Sequence, residues 1–247
     1  MRRANSLRGS WLLLFSLVAL AAVGTIAWSQ PSASKAPTAD FRFTPSNADN
    51  NTPVVFDASL SKSPNGKIVK YEWDFDGDGK YDDTRTTALD EKLFDKSGNV
   101  RVILRVTDDK GATGTVSKYI KINEAVVVIR RTITTSTKSN KVSAGQTFRV
   151  QVQMTLNKTI NGLGLDEDLP QGWTMREVNN GGGSLKKSQL QWLWPQQIKS
   201  GTVIAVIYDV FVPKTVKTGN VALVGKLTSF SPRFLIKVVG DTTVQVV

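Results

Sequence analysis

The chain has 247 residues, a formal charge of +11, and neither cysteine nor histidine. Those absences exclude disulfides, thiol nucleophiles, Cys/His zinc sites and histidine-based proton transfer, which leaves only carboxylate, lysine, tyrosine or serine chemistry for catalysis. The length accommodates one large domain or two small ones, and without cross-links each must be held by its apolar core.

Arg2, Arg3 and Arg8 precede an apolar run from Trp11 to Ala27. A basic segment followed by such a run is the pattern of a secretory leader, and the small residues Ala27 and Ser29 place cleavage before Gln30. The run is also nearly long enough to span a bilayer, so residues 1–29 read as a signal peptide or, if uncut, as a signal anchor. Localisation follows as secreted or cell-surface, with membrane contact only through that segment. Residues 30–37 (QPSASKAP) carry no apolar period and read as a linker. Without the leader's three arginines the charge is +8. The basic residues are scattered along strands rather than grouped, which argues against nucleic acid as a partner and for loose attraction to anionic surfaces.

Beyond the linker, period-two alternation dominates and no convincing amphipathic helix is found. Val69, Tyr71, Trp73 and Phe75 are predicted on one face of a strand, and Val100, Val102, Leu104 and Val106 on one face of another, with Arg101 and Arg105 outward. Asp108-Asp109-Lys110-Gly111 supplies a hairpin turn into a strand over Val116–Ile122. The second half repeats this architecture. Phe148 to Leu156 alternates, as does Ile204 to Val212; Val126–Ile133, Val221–Val224 and Thr242–Val247 read as further strands, and Asn179–Ser184 as a glycine-rich loop. The fold class is therefore all-β: two tandem immunoglobulin-like sandwiches, over 38–122 and 126–247, with a short connection that limits their relative freedom.

The stretch from Tyr71, YEWDFDGDGKYDD, and the later VRVILRVTDDKGATG together resemble a PKD-type domain, the sandwich named after polycystic kidney disease protein. Trp73-Asp74-Phe75 with Asp76-Gly77-Asp78-Gly79 is a slightly longer form of the family's Trp-Asp-Phe-Gly-Asp-Gly hallmark. Val106-Thr107-Asp108 with Gly111, and Val55-Phe56-Asp57-Ala58-Ser59 upstream, match two further elements, so the resemblance covers about residues 37–122. It implies a reused scaffold and no particular chemistry.

Two readings of the acidic run stay open. In the first, Gly77 and Gly79 supply positive φ for a tight reversal and the aspartates accept bonds from amides the turn leaves unpaired. In the second, Asp74, Asp76 and Asp78 alternate as in the first half of an EF-type loop, with Lys80 offering a carbonyl and Asp82 a further oxygen to calcium. Arg85 stands where such a loop places its bidentate glutamate, so closure would fall to Asp82, Asp83 or water.

Other constellations are weaker. Asp166-Glu167-Asp168 could tempt a glycosidase assignment, but adjacent residues in a loop diverge. Leu190, Trp192 and Trp194 share a strand face by parity, which is the pattern of core more than of a sugar platform. Leu169-Pro170-Gln171-Gly172-Trp173, followed by the glycine-rich loop and Gln191-Trp192, is similar to a turn in Ig-like or cohesin-like accessory sandwiches of bacterial and archaeal surface proteins. The sequence thus reads as a non-enzymatic, exported binding, adhesion or spacer protein that contacts protein or polysaccharide. A subunit of a surface layer or filament is one alternative, and a carboxylate-dependent secreted hydrolase another.

Overall fold

The chain alternates because each strand divides its side chains between a dry interior and the outside. A computed structural model describes residues 35–247 apart from 65 and 138. The signal peptide or anchor and most of the linker expected above lie outside the described residues. No helix of the described residues is long and apolar enough to cross a membrane.

The first sandwich is built from β1 (Arg42–Thr44), β2 (Val54–Asp57), β3 (Ile68–Asp74), β4 (Asp83–Arg85), β5 (Leu89–Lys92), β6 (Gly98–Asp108) and β7 (Thr113–Ile122). One sheet runs β1-β2-β5 and the other β4-β3-β6-β7, every pairing antiparallel. Val102, Leu104 and Val106 of β6 and Ile120 and Ile122 of β7 are buried on the shared face. Across the gap Phe56 meets Trp73 at 5.4 Å between ring centroids, and Trp73 stacks on Phe75 at 5.7 Å. Val69 departs from the expected face. An irregularity between Ile68 and Lys70 shifts the register of β3 against β6, and Val69 points to solvent while Tyr71 and Trp73 face the core.

The second sandwich comprises β8 (Val127–Thr134), β9 (Lys141–Val142), β10 (Thr147–Leu156), β11 (Ile160–Asp168), β12 (Thr174–Asn179), β13 (Ser184–Lys186), β14 (Gln191–Ile198), β15 (Val203–Phe211), β16 (Gly219–Ala222), β17 (Val224–Ser231), β18 (Phe234–Lys237) and β19 (Thr243–Val246). Its two large sheets run β12-β15-β10-β8 and β13-β14-β11-β17-β18, with a small β16-β19-β9 sheet beside them. Trp192 of β14 stacks on Tyr208 of β15 at 5.5 Å, so the large sheets face each other. Trp192 and Trp194 belong to the core as their parity predicts. Leu190 does not join them: it closes a 3-10 turn over Lys187–Gln189 in the left-handed region, φ 48°, outside β14.

Residues 35–247 form one compact unit, and the junction between the sandwiches is made of polar groups. Asn51, nearly buried, donates to the Val127 carbonyl at 2.6 Å and accepts from the Ile129 amide at 3.0 Å, so its side chain pairs with β8 as a strand would. Arg130 reaches back to the carbonyls of Asn50 (2.7 Å) and Phe94 (3.1 Å) and to the carboxylate of Asp95 (3.1 Å). Removing one side of a buried hydrogen bond leaves the other unsatisfied, at a cost of about 1–3 kcal/mol. Asn51→Ala is therefore expected to uncouple the two halves. Calorimetry should show one transition for the parent protein and two separated transitions for the variant; a single unchanged peak would contradict a coupling role for Asn51.

Candidate functional site

The acidic run sits where β3 leaves the sheet and the chain turns toward β4. Asp74 is 1% exposed, and its carboxylate is the hub of the turn. Oδ1 accepts from the amides of Gly77 (2.6 Å) and Asp76 (3.3 Å), and Oδ2 from the amide of Gly79 (2.9 Å). Gly77 and Gly79 lie at φ 73° and 91°, as the sequence requires of them. A Cβ at Gly77 would also come within 3.1 Å of Arg101, so the loop rests directly on β6. Asp82 closes the turn by accepting from the Phe75 amide at 2.7 Å, while its own amide donates to the Trp73 carbonyl. Asp76 and Asp78 make shorter-range turns, each accepting from the amide two residues on.

The same side chains satisfy the spacing of a cation loop. Asp74, Asp76 and Asp78 each offer an oxygen within 4.8 Å of the others, the latter two from the surface. A carboxylate has about four lone-pair positions, of which Asp74 uses three on amides, so it could add only one more contact. The Lys80 ammonium lies 3.7 Å from Asp78.

Beside this loop is a cleft of about 570 Å³, lined among others by Asp76, Asp82, Lys92, Asn99, Arg101 and Tyr119. Tyr119 is 72% exposed, and its Cα partner across the sheet is Arg101. The Lys92 ammonium stands 5.4 Å from the Phe75 ring centre at the other wall. Further along this outer face Arg105 grips Glu72 through two bonds of 2.8 and 2.7 Å and covers the Tyr81 ring at 4.1 Å. The Arg105 bonds hold the Glu72 carboxyl below its usual range, against the effect of burial. Sequence reasoning did not single out Tyr119, yet its signal was present. In the run Val116 to Ile122 it is the one aromatic on the polar parity, so it had to face solvent.

Asp166, Glu167 and Asp168 do not lie in a loop as expected; they end strand β11 and therefore alternate faces. Asp166 is on the outside, taking a bond from Gln191. Glu167 points into the core, where both oxygens meet the Arg131 guanidinium at 2.8 and 2.6 Å and Tyr208 donates to Oε2 at 2.6 Å. Burial raises the Glu167 pKa against the pull of Arg131, and burial also raises that of Tyr208. Asp166 and Asp168 share the outer face and border a cleft of about 310 Å³ beside Lys226, while the bonds to Arg131 and Tyr208 commit Glu167 to the core.

Residues 34–122 match the PKD domain. A collagenase of Clostridium perfringens, ColA, is 42% identical over 72 residues, which is 29% of this chain and 6% of the collagenase. The PKD1 domain of the Vibrio cholerae metalloprotease PrtV, a solved structure, is 35% identical over 36% of this chain and 98% of that one, with a TM-score of 0.29. A solved structure of carbohydrate-binding modules from the β-sandwich superfamily is 19% identical, spans 86% of this chain and 95% of its own, and has a TM-score of 0.35. This chain thus spans a small fraction of the curated collagenase it matches. The PKD-type resemblance read from Trp73 to Gly79 and from Val106 to Gly111 agrees with the matched segment.

The two kinds of aspartate in the acidic turn are expected to separate in stability. Asp74→Ala strips three amides of their acceptor and should cost about 2–4 kcal/mol, whereas Asp76→Ala should cost no more than about 0.5 kcal/mol. Urea denaturation of both variants checks this; equal losses would show that Asp74 is not the hub.

Proposed function

We propose that this protein is a non-catalytic spacer and binding module, acting outside the cytoplasm or at the cell surface, in which the PKD domain presents a polysaccharide-binding cleft. The observation that carries the reading is Tyr119, a 72% exposed aromatic beside a cleft of about 570 Å³ whose walls combine Arg, Lys, Asp and Asn side chains with Phe75 and Phe94. An exposed ring offers a flat apolar surface to the CH face of a sugar, and neighbouring charged and amide groups exchange hydrogen bonds with its hydroxyls. The polar junction between the sandwiches supports the spacer role, because it holds the cleft at a fixed orientation to the second sandwich. Matches that cover only 6% of a collagenase and 7% of a metalloprotease support an accessory role beside other domains. The non-catalytic assignment rests on the state of the carboxylates: those of Asp74, Glu72 and Glu167 are occupied in structural bonds.

Binding is tested by retention of the full chain on insoluble chitin, cellulose and peptidoglycan, with protein fibres as a parallel arm. Retention on at least one polysaccharide, lowered fivefold or more by Tyr119→Ala without a change in melting temperature, is the expected result. Retention on protein fibres alone, or retention indifferent to Tyr119, would overturn the polysaccharide reading.

The same proposal includes a weak calcium site formed by Asp74, Asp76 and Asp78, with the Lys80 carbonyl and Asp82 completing it. The three oxygens within 4.8 Å of one another support it, since hard cations gather carboxylates at such separations. At a calcium concentration about tenfold above Kd, binding adds roughly 1.4 kcal/mol, which raises the melting temperature by a few degrees. Melts in calcium and in chelator should differ by that amount for the parent chain and coincide for Asp76→Ala. Coincident curves for the parent would leave the run as a turn alone.

A further inference from the structure

The outer face of the sheet β13-β14-β11-β17-β18 is unlike the rest of the surface. Phe230 is 84% exposed and Leu235 66%, with Leu193 (38%) on the same side. The parity partners of these residues, Trp192, Trp194 and Leu227, fill the core, so the exposed set cannot turn inward without exposing that core. Between Phe230 and Leu193 the strand β11 contributes only Gly162 and Gly164 to this face. A Cβ at Gly162 would lie 3.4 Å from Phe230, and one at Gly164 would lie 2.9 Å from Thr228 and 3.4 Å from Leu193. The face therefore carries a protruding ring immediately beside a trough floored by glycine. Contiguous apolar surface of this kind marks an interaction site.

We propose that the occupant is a second copy of this chain, packed face to face about a two-fold axis that runs along the strands between β11 and β17. The register of the sheet decides this. One row across the face reads Leu193, Gly164, Thr228, Leu235, and the next reads Gln191, Asp166, Lys226, Lys237. A two-fold axis between the second and third of these strands exchanges β11 with β17 and β14 with β18. Phe230 of each copy then lies over the other's Gly162, and Thr228 over Gly164. Leu193 meets Leu235, and the ammonium of Lys226 meets the carboxylate of Asp166. The Phe230 ring falls beside the bare backbone of Gly162, apolar falls opposite apolar, and positive opposite negative. Every such contact occurs twice, as an isologous interface requires.

The pairs lie within one or two rows of the axis centre, where the rotation of about 30° usual between packed sheets displaces them least. Five strands about 4.8 Å apart and three rows about 7 Å apart give a face of several hundred Å² per copy, below the usual ~800 Å² per partner, so the dimer is weak and concentration-dependent. This inference does not rest on the polysaccharide reading, since Tyr119 lies in the other sandwich.

Sedimentation equilibrium of the full chain at micromolar to submillimolar concentration tests it. Every variant carries the same N-terminal segment, so differences between variants report on the face. A monomer–dimer equilibrium is expected, weakened at least tenfold by Phe230→Ser and by Lys226→Asp, and restored to within about threefold in the double variant Lys226→Asp/Asp166→Lys. Val203→Ser, an exposed valine on the opposite large sheet, should leave it unchanged. Circular dichroism confirms that each variant is folded. A parent chain that stays monomeric throughout, association indifferent to Phe230→Ser, or a double charge exchange that fails to restore it would each overturn the proposal.

Discussion

Sheet-on-sheet packing across a gap of about 10 Å is the constraint on which everything else depends. The chain has no cysteine to staple either half, so each interior must be closed by side chains that reach from one sheet to the other. Large aromatics do this in both sandwiches. Phe56 and Trp73 meet across the first, and Trp192 and Tyr208 across the second. Most polar atoms in the interior are answered by the backbone or another side chain, Asp74 at a turn and the Arg131, Glu167 and Tyr208 group within the strands, while Trp73 Nε1 and Arg131 Nε are buried without a hydrogen bond.

The acidic run illustrates the consequence. Five aspartates between positions 74 and 83 look like a site awaiting a metal, yet the tight reversal after Phe75 creates unpaired amides at the same place. Asp74 answers three of them, so its burial is a structural necessity before it is anything else. What the turn leaves over is the surface oxygens of Asp76 and Asp78, and beside them the cleft that Tyr119 borders. The loop and the cleft are one construction, because the close seat of Gly77 on Arg101 brings the acids beside the cationic rung of β6.

Alternation made most of the fold legible before any coordinates. Phe148 to Leu156 and Ile204 to Val212 form adjacent antiparallel strands, and the Asp108 to Gly111 turn joins β6 to β7. Three features escaped it for separate physical reasons. The irregularity at Val69 changes parity without leaving any mark in composition. Leu190 keeps the parity of Trp192 but adopts a left-handed conformation, which a leucine does not advertise. Glu167 was read as part of a divergent loop because its partners, Arg131 and Tyr208, are 36 and 41 residues away. A buried ion pair is a long-range fact, and a single sequence carries no local trace of it. The acidic turn was legible as a turn, whereas the cleft beside it needed the β5–β6 connection, whose path no periodicity sets.

Strand β8 shows how one short segment can serve both halves. Arg130 and Arg131 are consecutive, so their side chains leave opposite faces of the strand. Arg130 crosses to the first sandwich and bonds the Asn50 and Phe94 carbonyls, while Arg131 enters the second core and pairs with Glu167. Burying that pair costs desolvation that apolar packing would not, so its presence calls for a return in specificity. The surrounding backbone supplies a reason. A Cβ at Gly225 would approach Arg131 within 2.6 Å and Glu167 within 2.4 Å, and one at Gly240 would meet the Arg131 carbonyl at 2.4 Å. The Arg131 amide donates to Val239, its guanidinium to Leu223, and its carbonyl accepts from Asp241. Only one alignment of β8 against β11, β17 and the 238–241 segment satisfies these groups together, and a slip of one residue would exchange the two arginines. That exchange would bury the residue made for the junction and expose the one made for the core. Fixing the register of β8 therefore fixes at the same time how the second sandwich closes and how it meets the first.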